Sequence, residues 1–332
     1  MQSHPCGWWE RRAAVRDWSD AAFEVRAVVK VLVTGAHGFI GTALARAAVD
    51  RGHTVVGVDR SAHGRLLPDE VELVEGDITR PAAWRSAFRD VDVVVHSAAV
   101  HRSDQIADGP IRSIEVNLHG TRLMLETAAE SGVRAFVNLS SAKVYGEPLG
   151  FPSSEDDLLN PVEPYGLAKT LGEQYCRDFT RRGPMRCVSV RPFSVYGPGQ
   201  DLSTGYIGQL IDGWLTDRPV TLSGHPRFLR DFVHVDDVVD LCLAAAEPSC
   251  TFDVVNAGSG QATSLSTLVA DFASLCGDSM QVDYAPAGAG TIERTLADLT
   301  RQVALLGRRP VALAAGLRET LAWFRLHRTP VG

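Results

Sequence analysis

Residues 28–41 read V-V-K-V-L-V-T-G-A-H-G-F-I-G, and this stretch decides the fold. Its mostly apolar first half predicts a buried strand, and the turn that follows leads into an Ala-rich helix that runs to Arg51. Gly35, Gly38 and Gly41 recur at every third position of that turn. Such glycines let the backbone approach a pyrophosphate, which then lies on the N-terminus of the helix. The stretch therefore predicts a dinucleotide-binding βαβ unit, with Phe39 and Ile40 among the cofactor contacts.

The second predicted strand, residues 53–59, ends in an acidic residue, Asp59. A carboxylate at this distance from the glycines can accept hydrogen bonds from the adenosine ribose hydroxyls and repels a 2′-phosphate. Arg60 follows directly and weakens this discrimination, because an arginine accommodates a 2′-phosphate. We therefore expect NAD in preference to NADP.

Strands and helices alternate through the next 130 or so residues. The further predicted strands are 71–78, 91–99, 135–141 and 185–193, and the predicted helices include 112–131 and 165–181. This alternation predicts a Rossmann-type α/β fold with a doubly wound parallel sheet. Ligands bind beyond the C-terminal strand ends of such sheets, so we expect further cofactor contacts there, from Asp77, Ile78, Ala98 and Ala99.

The chain is expected to divide into three parts. Residues 1–27 are charged throughout and lack the apolar core of a signal peptide, so we expect a poorly ordered or surface-packed extension. The Rossmann domain is expected to comprise residues 28–193 together with about 229–257. The shorter, turn-rich elements of residues 194–228 and 258–332 predict a smaller C-terminal α/β domain that caps the substrate.

A second group of candidate residues lies between Ser141 and Lys169. Tyr165 precedes Lys169 by four residues, so on a helix the two side chains share one face. Pro164 indicates that Tyr165 lies in the first turn, where the helix dipole is positive. The dipole and the Lys169 ammonium both favour the phenolate, so we expect a Tyr165 pKa below the usual value of about 10. With Ser141 at a strand end, the group predicts a base, its activating cation and an orienting hydroxyl.

The same spacing also occurs in tyrosine–lysine pairs that are plain surface contacts. Composition favours the functional interpretation, because only three of the 33 basic residues are lysines. The planar guanidinium group of arginine cannot replace the lysine ammonium group, which is compact, lies on a flexible side chain and can also reach a ribose.

Composition also limits the partners. A net charge of −7 argues against nucleic acid, since phosphate binding needs a basic surface. No apolar run reaches membrane-spanning length, so no membrane partner is expected. The six cysteines show neither C-x-x-C nor zinc spacing, which predicts no metal site and indicates the reduced thiols of a cytoplasmic protein.

The motifs together resemble those of the extended short-chain dehydrogenases/reductases, of the NAD-dependent epimerase/dehydratase type that acts on nucleotide sugars. The resemblance runs from Val28 to about Arg325 and includes L-S-S-A-K-V-Y-G, P-Y-G-L-A-K, R-P-F-S-V-Y-G-P-G and R-D-F-V-H-V-D-D-V. It implies that Tyr165 is the general base and acid, that Lys169 holds the nicotinamide ribose, and that Ser141 polarises the reacting C–O bond. It also implies a homodimer formed by the helices near 112–131 and 165–181, which is an analogy.

Three departures from the family pattern bear on the substrate. Ala142 and Lys143 stand where family dehydratases carry an Asp-Glu pair, so elimination of water is disfavoured. Ser194 replaces an asparagine and can still donate one hydrogen bond to a phosphate. A second phosphate-binding arginine of many relatives is missing, and the nearest arginine is Arg294.

Two further residues are candidates for substrate binding. Arg230 matches the family's pyrophosphate-binding arginine, and the alternative is a surface ion pair with Asp231. His101 follows the strand end H-S-A-A, near the expected position of the substrate.

We predict an NAD-dependent nucleotide-sugar epimerase that acts at C4 of a UDP- or dTDP-hexose. The close alternative is an NAD(P)H-dependent ketoreductase of a 4-keto-deoxysugar nucleotide in secondary metabolism, suggested by the Arg/Ala-rich, Lys-poor composition. Less favoured are an oxidoreductase of a non-sugar alcohol or carbonyl compound and a non-catalytic NAD sensor.

Overall fold

The computed structural model describes residues 28–61, 67–100, 110–277, 280–288 and 291–327. The predicted N-terminal extension, residues 1–27, lies outside these ranges. The described residues contain twelve strands, which are β1 (Lys30–Thr34), β2 (Thr54–Asp59), β3 (Glu72–Glu75), β4 (Val93–His96), β5 (Ala135–Leu139), β6 (Arg186–Pro192), β7 (Ser194–Tyr196), β8 (Val220–Ser223), β9 (Leu229–His234), β10 (Val254–Ala257), β11 (Ala262–Ser264) and β12 (Val282–Ala285).

Ten α-helices lie between these strands or follow them in the described part of the chain. They are α1 (Phe39–Asp50), α2 (Pro81–Trp84), α3 (Pro110–Ile114), α4 (Thr121–Glu130), α5 (Pro164–Arg182), α6 (Tyr206–Thr216), α7 (Val235–Ala246), α8 (Leu265–Cys276), α9 (Thr300–Leu306) and α10 (Leu313–Leu326). Short 3₁₀ turns occur at Arg85–Phe88 and at Ala142–Val144.

A seven-stranded sheet forms the centre of the molecule, in the order β10-β6-β5-β4-β1-β2-β3, with every neighbouring pair parallel. The chain winds outwards from β1 to β3 and then returns to the other side of β1 with β4. Ligands bind at such a reversal of strand order. The predicted Rossmann-type doubly wound sheet is therefore confirmed.

Both faces of this sheet are buried, which explains its nearly continuous valine runs. On β1, Val31 and Val33 point to one face and pack in the same core as α1 and α7 residues such as Leu44 and Val238. Leu32 points to the other face, into a core that contains Met124 of α4 and other residues of α4 and α5. The alternation follows from the two-residue repeat of a strand.

The later part of the chain forms two smaller sheets around a third core. One sheet has the order β11-β9-β7, and the other pairs β12 with β8. The segment 229–257, which the sequence assigned to the Rossmann domain, divides between two sheets. Its end, β10, joins the large sheet beside β6, whereas its start, β9, pairs with β7 and β11. The division into domains stays a prediction.

The predicted helix 112–131 contains a π-helical turn, Glu115–Gly120, which joins α3 to α4. Asn117 lies in this turn and is fully buried. Its side chain accepts a hydrogen bond from the Val100 amide at 2.8 Å and donates one to the Val100 carbonyl at 2.7 Å. A buried side chain in this turn therefore holds the loop that follows β4, and π-turns often occur where function or packing requires them.

Candidate active site

A cleft of about 1280 Å³ runs past the C-terminal ends of the central strands. Its walls contain every predicted site residue that the structure describes, namely Gly35, Gly38, Phe39, Ile40, Gly41, Asp59, Arg60, Asp77, Ile78, Ala98, Ala99, Ser141, Ala142, Lys143, Tyr165, Lys169, Ser194 and Arg230. His101 lies outside the described residues. The structure thus brings together residues that are up to 195 positions apart in the sequence.

The turn after β1 requires glycine at two positions. Gly35 has a φ of +68°, and a Cβ atom there would lie 2.9 Å from the Ala98 backbone nitrogen. A Cβ atom on Gly41 would lie 1.9 Å from the Gly35 carbonyl oxygen. The turn can therefore be this tight only without side chains, and α1 begins directly behind it at Phe39. No acidic residue in the first turn of α1 neutralises the positive end of its dipole.

Asp59, at the end of β2, also fits a dinucleotide. One of its carboxylate oxygens accepts a hydrogen bond from the His37 amide at 3.0 Å, which fixes the side chain beside the glycine turn. A carboxylate held there can accept the ribose hydroxyls of a bound dinucleotide. The close backbone turn, the helix N-terminus and the carboxylate therefore form a set into which NAD fits.

Asp77 and Ile78 lie farther along the same wall. The Asp77 carboxylate accepts hydrogen bonds from both the amide and the hydroxyl of Thr79, and Arg112 donates to it at 3.1 Å. Burial acts to raise the pKa of Asp77, but these donors outweigh it and lower that pKa. The hydrogen-bonding capacity of this carboxylate is therefore largely used within the chain. Ile78 is buried, packs against Gly120 and adds an apolar residue to the cleft wall.

Ser141, Tyr165 and Lys169 meet where β5 ends and α5 begins. As predicted, Pro164 opens α5, and Tyr165 is its second residue. The Ser141 hydroxyl donates a hydrogen bond to the Tyr165 phenol, and the Lys169 Nζ atom lies 5.7 Å from the centre of the tyrosine ring. Lys169 is 2% exposed and donates to the Leu139 carbonyl at 2.6 Å. A phenol, an orienting hydroxyl and an ammonium group thus share one end of the cleft.

The structure reverses the predicted direction of the Tyr165 pKa. Burial raises that pKa to about 12, the Ser141 hydrogen bond lowers it only in part, and the Glu163 charge raises it further. The Lys169 ammonium group is itself buried and donates to the Leu139 carbonyl. Burial lowers the pKa of Lys169 to about 8.

The cost of burying this ammonium group gives a test. Lys169→Met is expected to raise the free energy of unfolding at pH 7 by on the order of 3 kcal/mol, since the pKa falls from 10.5 to about 8 and each tenfold change in proton affinity corresponds to about 1.4 kcal/mol. Below pH 8 the lysine carries its proton in both the folded and the unfolded states, and the wild type bears the whole cost. Between pH 8 and 10.5 only the unfolded state keeps the proton, so the cost falls as the pH rises.

Urea unfolding of the wild type and of Lys169→Met at pH 7 and pH 10.5 measures this difference in stability. The advantage of the variant should largely disappear at the higher pH. A variant that is less stable than the wild type at pH 7 would contradict the lowered pKa of Lys169.

Arg230 is 7% exposed and lines the cleft. It does not pair with Asp231, because the Asp231 carboxylate is fully buried and accepts hydrogen bonds from the amides of Ser259, Gly260 and Ala297. Arg230 donates instead to the Ile292 carbonyl at 2.7 Å and to the carbonyls of Leu229 and Glu293. The alternative of a surface ion pair is therefore wrong.

Arg294, the nearest arginine to the missing phosphate anchor, does not line the cleft. Its guanidinium group lies 5.2 Å from the centre of the Phe151 ring, and its Nε atom is 3.7 Å from the Glu147 carboxylate. The cleft wall at this point is formed by uncharged residues, Thr291, Ile292 and Thr295.

Several lining residues were missed by the sequence interpretation. Glu163 forms an ion pair with Lys143, with the Lys143 Nζ atom 3.0 Å from a Glu163 carboxylate oxygen. Tyr206 and Gln209 reach the cleft from the first turn of α6, and Gln200 and Asp201 from the loop before it. Only Glu163 had a local signal, since it lies two residues before Tyr165. The others are brought to the cleft by the non-local packing of α6.

The described helices include none with the length and apolarity needed to cross a membrane. The family model described as NAD dependent epimerase/dehydratase family matches residues 31–258. The UDP-glucose 4-epimerase of Mycolicibacterium smegmatis is 34% identical over 310 residues, which cover 90% of this chain and 99% of that protein.

Two crystal structures resemble this fold over nearly the whole of their length. UDP-glucose 4-epimerase from Thermotoga maritima with UDP-glucose has a TM-score of 0.85 and 30% identity, covering 90% of this chain and 99% of that one. UDP-glucuronic acid 4-epimerase from Bacillus cereus with UDP-glucuronic acid and NAD has a TM-score of 0.81 and 28% identity, with coverage of 90% and 99%.

Proposed function

This chain belongs to the NAD-dependent epimerase/dehydratase family, of the extended short-chain dehydrogenase/reductase type, and from this premise we propose that it interconverts the C4 epimers of a UDP-hexose with Tyr165 as base and acid. It is an enzyme, and its cofactor is NAD. The observation that carries the proposal is the hydrogen bond between the Ser141 hydroxyl and the Tyr165 phenol, at one end of the cleft that contains the glycine turn. The match to 4-epimerases along the whole length of those proteins supports the position of attack.

The proposed roles follow from the chemistry of each side chain. NAD, when bound, supplies the acceptor and donor of the hydride. Ser141 orients the reacting sugar oxygen through its hydroxyl. The Tyr165 Oη atom acts as the phenolate, the minor form at neutral pH when its pKa is about 12; it takes up the proton of that oxygen and later returns it. Lys169 contributes a positive charge near the phenol and a donor that can reach a ribose hydroxyl.

Product analysis tests the proposal. The purified protein is incubated with UDP-glucose, without added cofactor, and the sugars are separated by chromatography. We expect UDP-galactose to form until the two epimers reach equilibrium. Stoichiometric loss of reduced cofactor with a 4-keto-sugar nucleotide, and no epimerisation, would favour the ketoreductase. Inactivity across UDP- and dTDP-hexoses, each also tested with added NAD, would reject the epimerase.

Arg230 is proposed to contact the nucleotide diphosphate. Arg230→Met is expected to raise the KM for the UDP-sugar by about tenfold or more, since a hydrogen bond to a charged group contributes about 1.5–3 kcal/mol. The kcat should change less, because Arg230 lies away from the reacting carbon in this proposal. Arg294→Met is the matched control, since that arginine lies outside the cleft. An unchanged KM in Arg230→Met would favour a substrate without a nucleotide.

A cytoplasmic homodimer is also proposed. Its support is an apolar strip on the outside of α5, where Leu167 and Leu171 lie one turn apart and are 45% and 39% exposed. The exposed Ile111 on α3 lies on a helix that contacts α5. Sedimentation of the protein as a monomer of 35.9 kDa at micromolar concentration would contradict the dimer.

A further inference from the structure

Lys143 and Glu163 form an ion pair on the wall of the cleft, and the proposed reaction gives neither a chemical role. Their charged atoms are 3.0 Å apart, and both side chains line the cleft beside Ser141 and Tyr165. Their side chains are 45% and 40% exposed, so solvent or a ligand reaches both. An exposed ion pair contributes about 0–1 kcal/mol to stability, so stability alone gives little reason for it.

The ion pair joins the same two segments of the chain as the proposed catalytic residues do. Lys143 follows Ser141 by two residues in the 3₁₀ turn, and Glu163 precedes Tyr165 by two residues at the start of α5. These two segments are in close contact, because a Cβ atom on Gly166 would lie 2.7 Å from the Lys143 carbonyl oxygen. The Ser141–Tyr165 hydrogen bond and the Lys143–Glu163 ion pair are therefore two neighbouring links between the same two segments.

Resting on the proposed function, we propose that this ion pair determines sugar specificity and selects a neutral, hydroxyl-bearing sugar over one that carries a carboxylate. A sugar whose reacting oxygen lies on Ser141 and Tyr165 presents a neighbouring ring substituent to the second link. An ammonium group only donates hydrogen bonds, and a carboxylate only accepts them. A hydroxyl group does both, so it satisfies Lys143 and Glu163 together.

A hexuronate would match the pair less well. Its carboxylate can accept from Lys143, but it cannot donate to Glu163 and meets a like charge there. Since Lys143 is already neutralised by Glu163, the attraction for a second carboxylate is weak. The pair therefore acts against an anionic sugar even though it contains a cation.

The ratio of kcat/KM for UDP-glucose to kcat/KM for UDP-glucuronic acid measures this selection. We expect a wild-type ratio of about ten or more, as for a hydrogen-bonding site that leaves polar groups unpaired with the wrong substrate. Glu163→Gln removes the like charge and should lower the ratio about tenfold, by improving the use of the uronate. Lys143→Met removes the donor and should lower kcat/KM for UDP-glucose by about tenfold.

Comparing the two sugars as a ratio of kcat/KM values also cancels an effect of the Glu163 substitution on the Tyr165 pKa. The Glu163 charge raises the pKa of Tyr165, so Glu163→Gln changes the rate with both sugars, and this change cancels between them. Arg182→Met is the matched control, because it breaks an exposed ion pair with Asp178 at the other end of α5. Its ratio should equal that of the wild type.

Two results would overturn this proposal while leaving epimerisation intact. One is a wild-type preference for UDP-glucuronic acid that Lys143→Met abolishes, which would make Lys143 a carboxylate receptor. The other is a ratio that neither substitution changes. If neither sugar is epimerised by the wild type, the proposed function fails and this inference fails with it.

Discussion

Replacing Tyr165 by phenylalanine is expected to lower kcat with a UDP-hexose by about 10²-fold or more, the usual contribution of a positioned acid–base group. The substitution removes one oxygen atom, the phenol that accepts a hydrogen bond from Ser141. It leaves the ring in place beside Lys169 and leaves the glycine turn unchanged. NAD should therefore still bind. The kcat is measured by product formation, and the bound NAD by its absorbance after the protein is denatured.

Tyr175→Phe is the matched control. Tyr175 lies on the same helix but packs against the core that contains Leu32 and Met124. It should retain kcat within a factor of about two, as no acid–base group is lost. A Tyr165→Phe variant that turns over at the wild-type rate would eliminate Tyr165 as the base. A variant that loses both NAD and its folded structure would assign Tyr165 a structural role instead.

The central sheet was predictable because its signal is local. Buried parallel strands produce valine-rich runs, and the G-A-H-G-F-I-G turn identifies the junction between β1 and α1. The position of β9 was not predictable in this way. Its sequence, L-R-D-F-V-H, mixes three apolar residues with Arg230, Asp231 and His234, and only non-local pairing with β7 and β11 places it in another sheet.

The residues of the candidate site were predictable from the sequence, but the direction of the Tyr165 pKa shift was not. The four-residue spacing of Tyr165 and Lys169 correctly places them on one face of α5. The sign of the Tyr165 pKa shift depends on desolvation and on the neighbouring Glu163 charge, and the spacing of Tyr165 and Lys169 encodes neither. The Asn117 contact with Val100 likewise depends on the loop after β4, which is 17 residues earlier in the sequence.

A buried ion pair behind the site was also invisible in the sequence. Glu173 and Arg191 are 0% and 1% exposed, and two hydrogen bonds of 2.9 and 2.7 Å join them. Ser140 donates to the same carboxylate at 2.5 Å, and Arg191 also donates to the Tyr145 hydroxyl at 2.8 Å. Burial acts to lower the pKa of Arg191, but the contact with Glu173 outweighs it and raises that pKa. The pair thus joins α5, which carries Tyr165, to β6, and the Ser140 hydrogen bond connects the Glu173 carboxylate to the residue next to Ser141.

Glu173→Ala is therefore expected to reduce the free energy of unfolding by about 3–5 kcal/mol, because it leaves the Arg191 guanidinium group buried without its counter-charge. Urea unfolding at pH 7 measures the loss. Asp178→Ala, which breaks the exposed pair with Arg182 on the same helix, is the control and should cost no more than about 1 kcal/mol. The double variant Glu173→Ala/Arg191→Met should recover part of the loss, since it removes the uncompensated charge as well. If Glu173→Ala and Asp178→Ala were equally stable, the connection between α5 and β6 would have to come from apolar packing. The position of Tyr165 relative to Ser141 would then not depend on this ion pair.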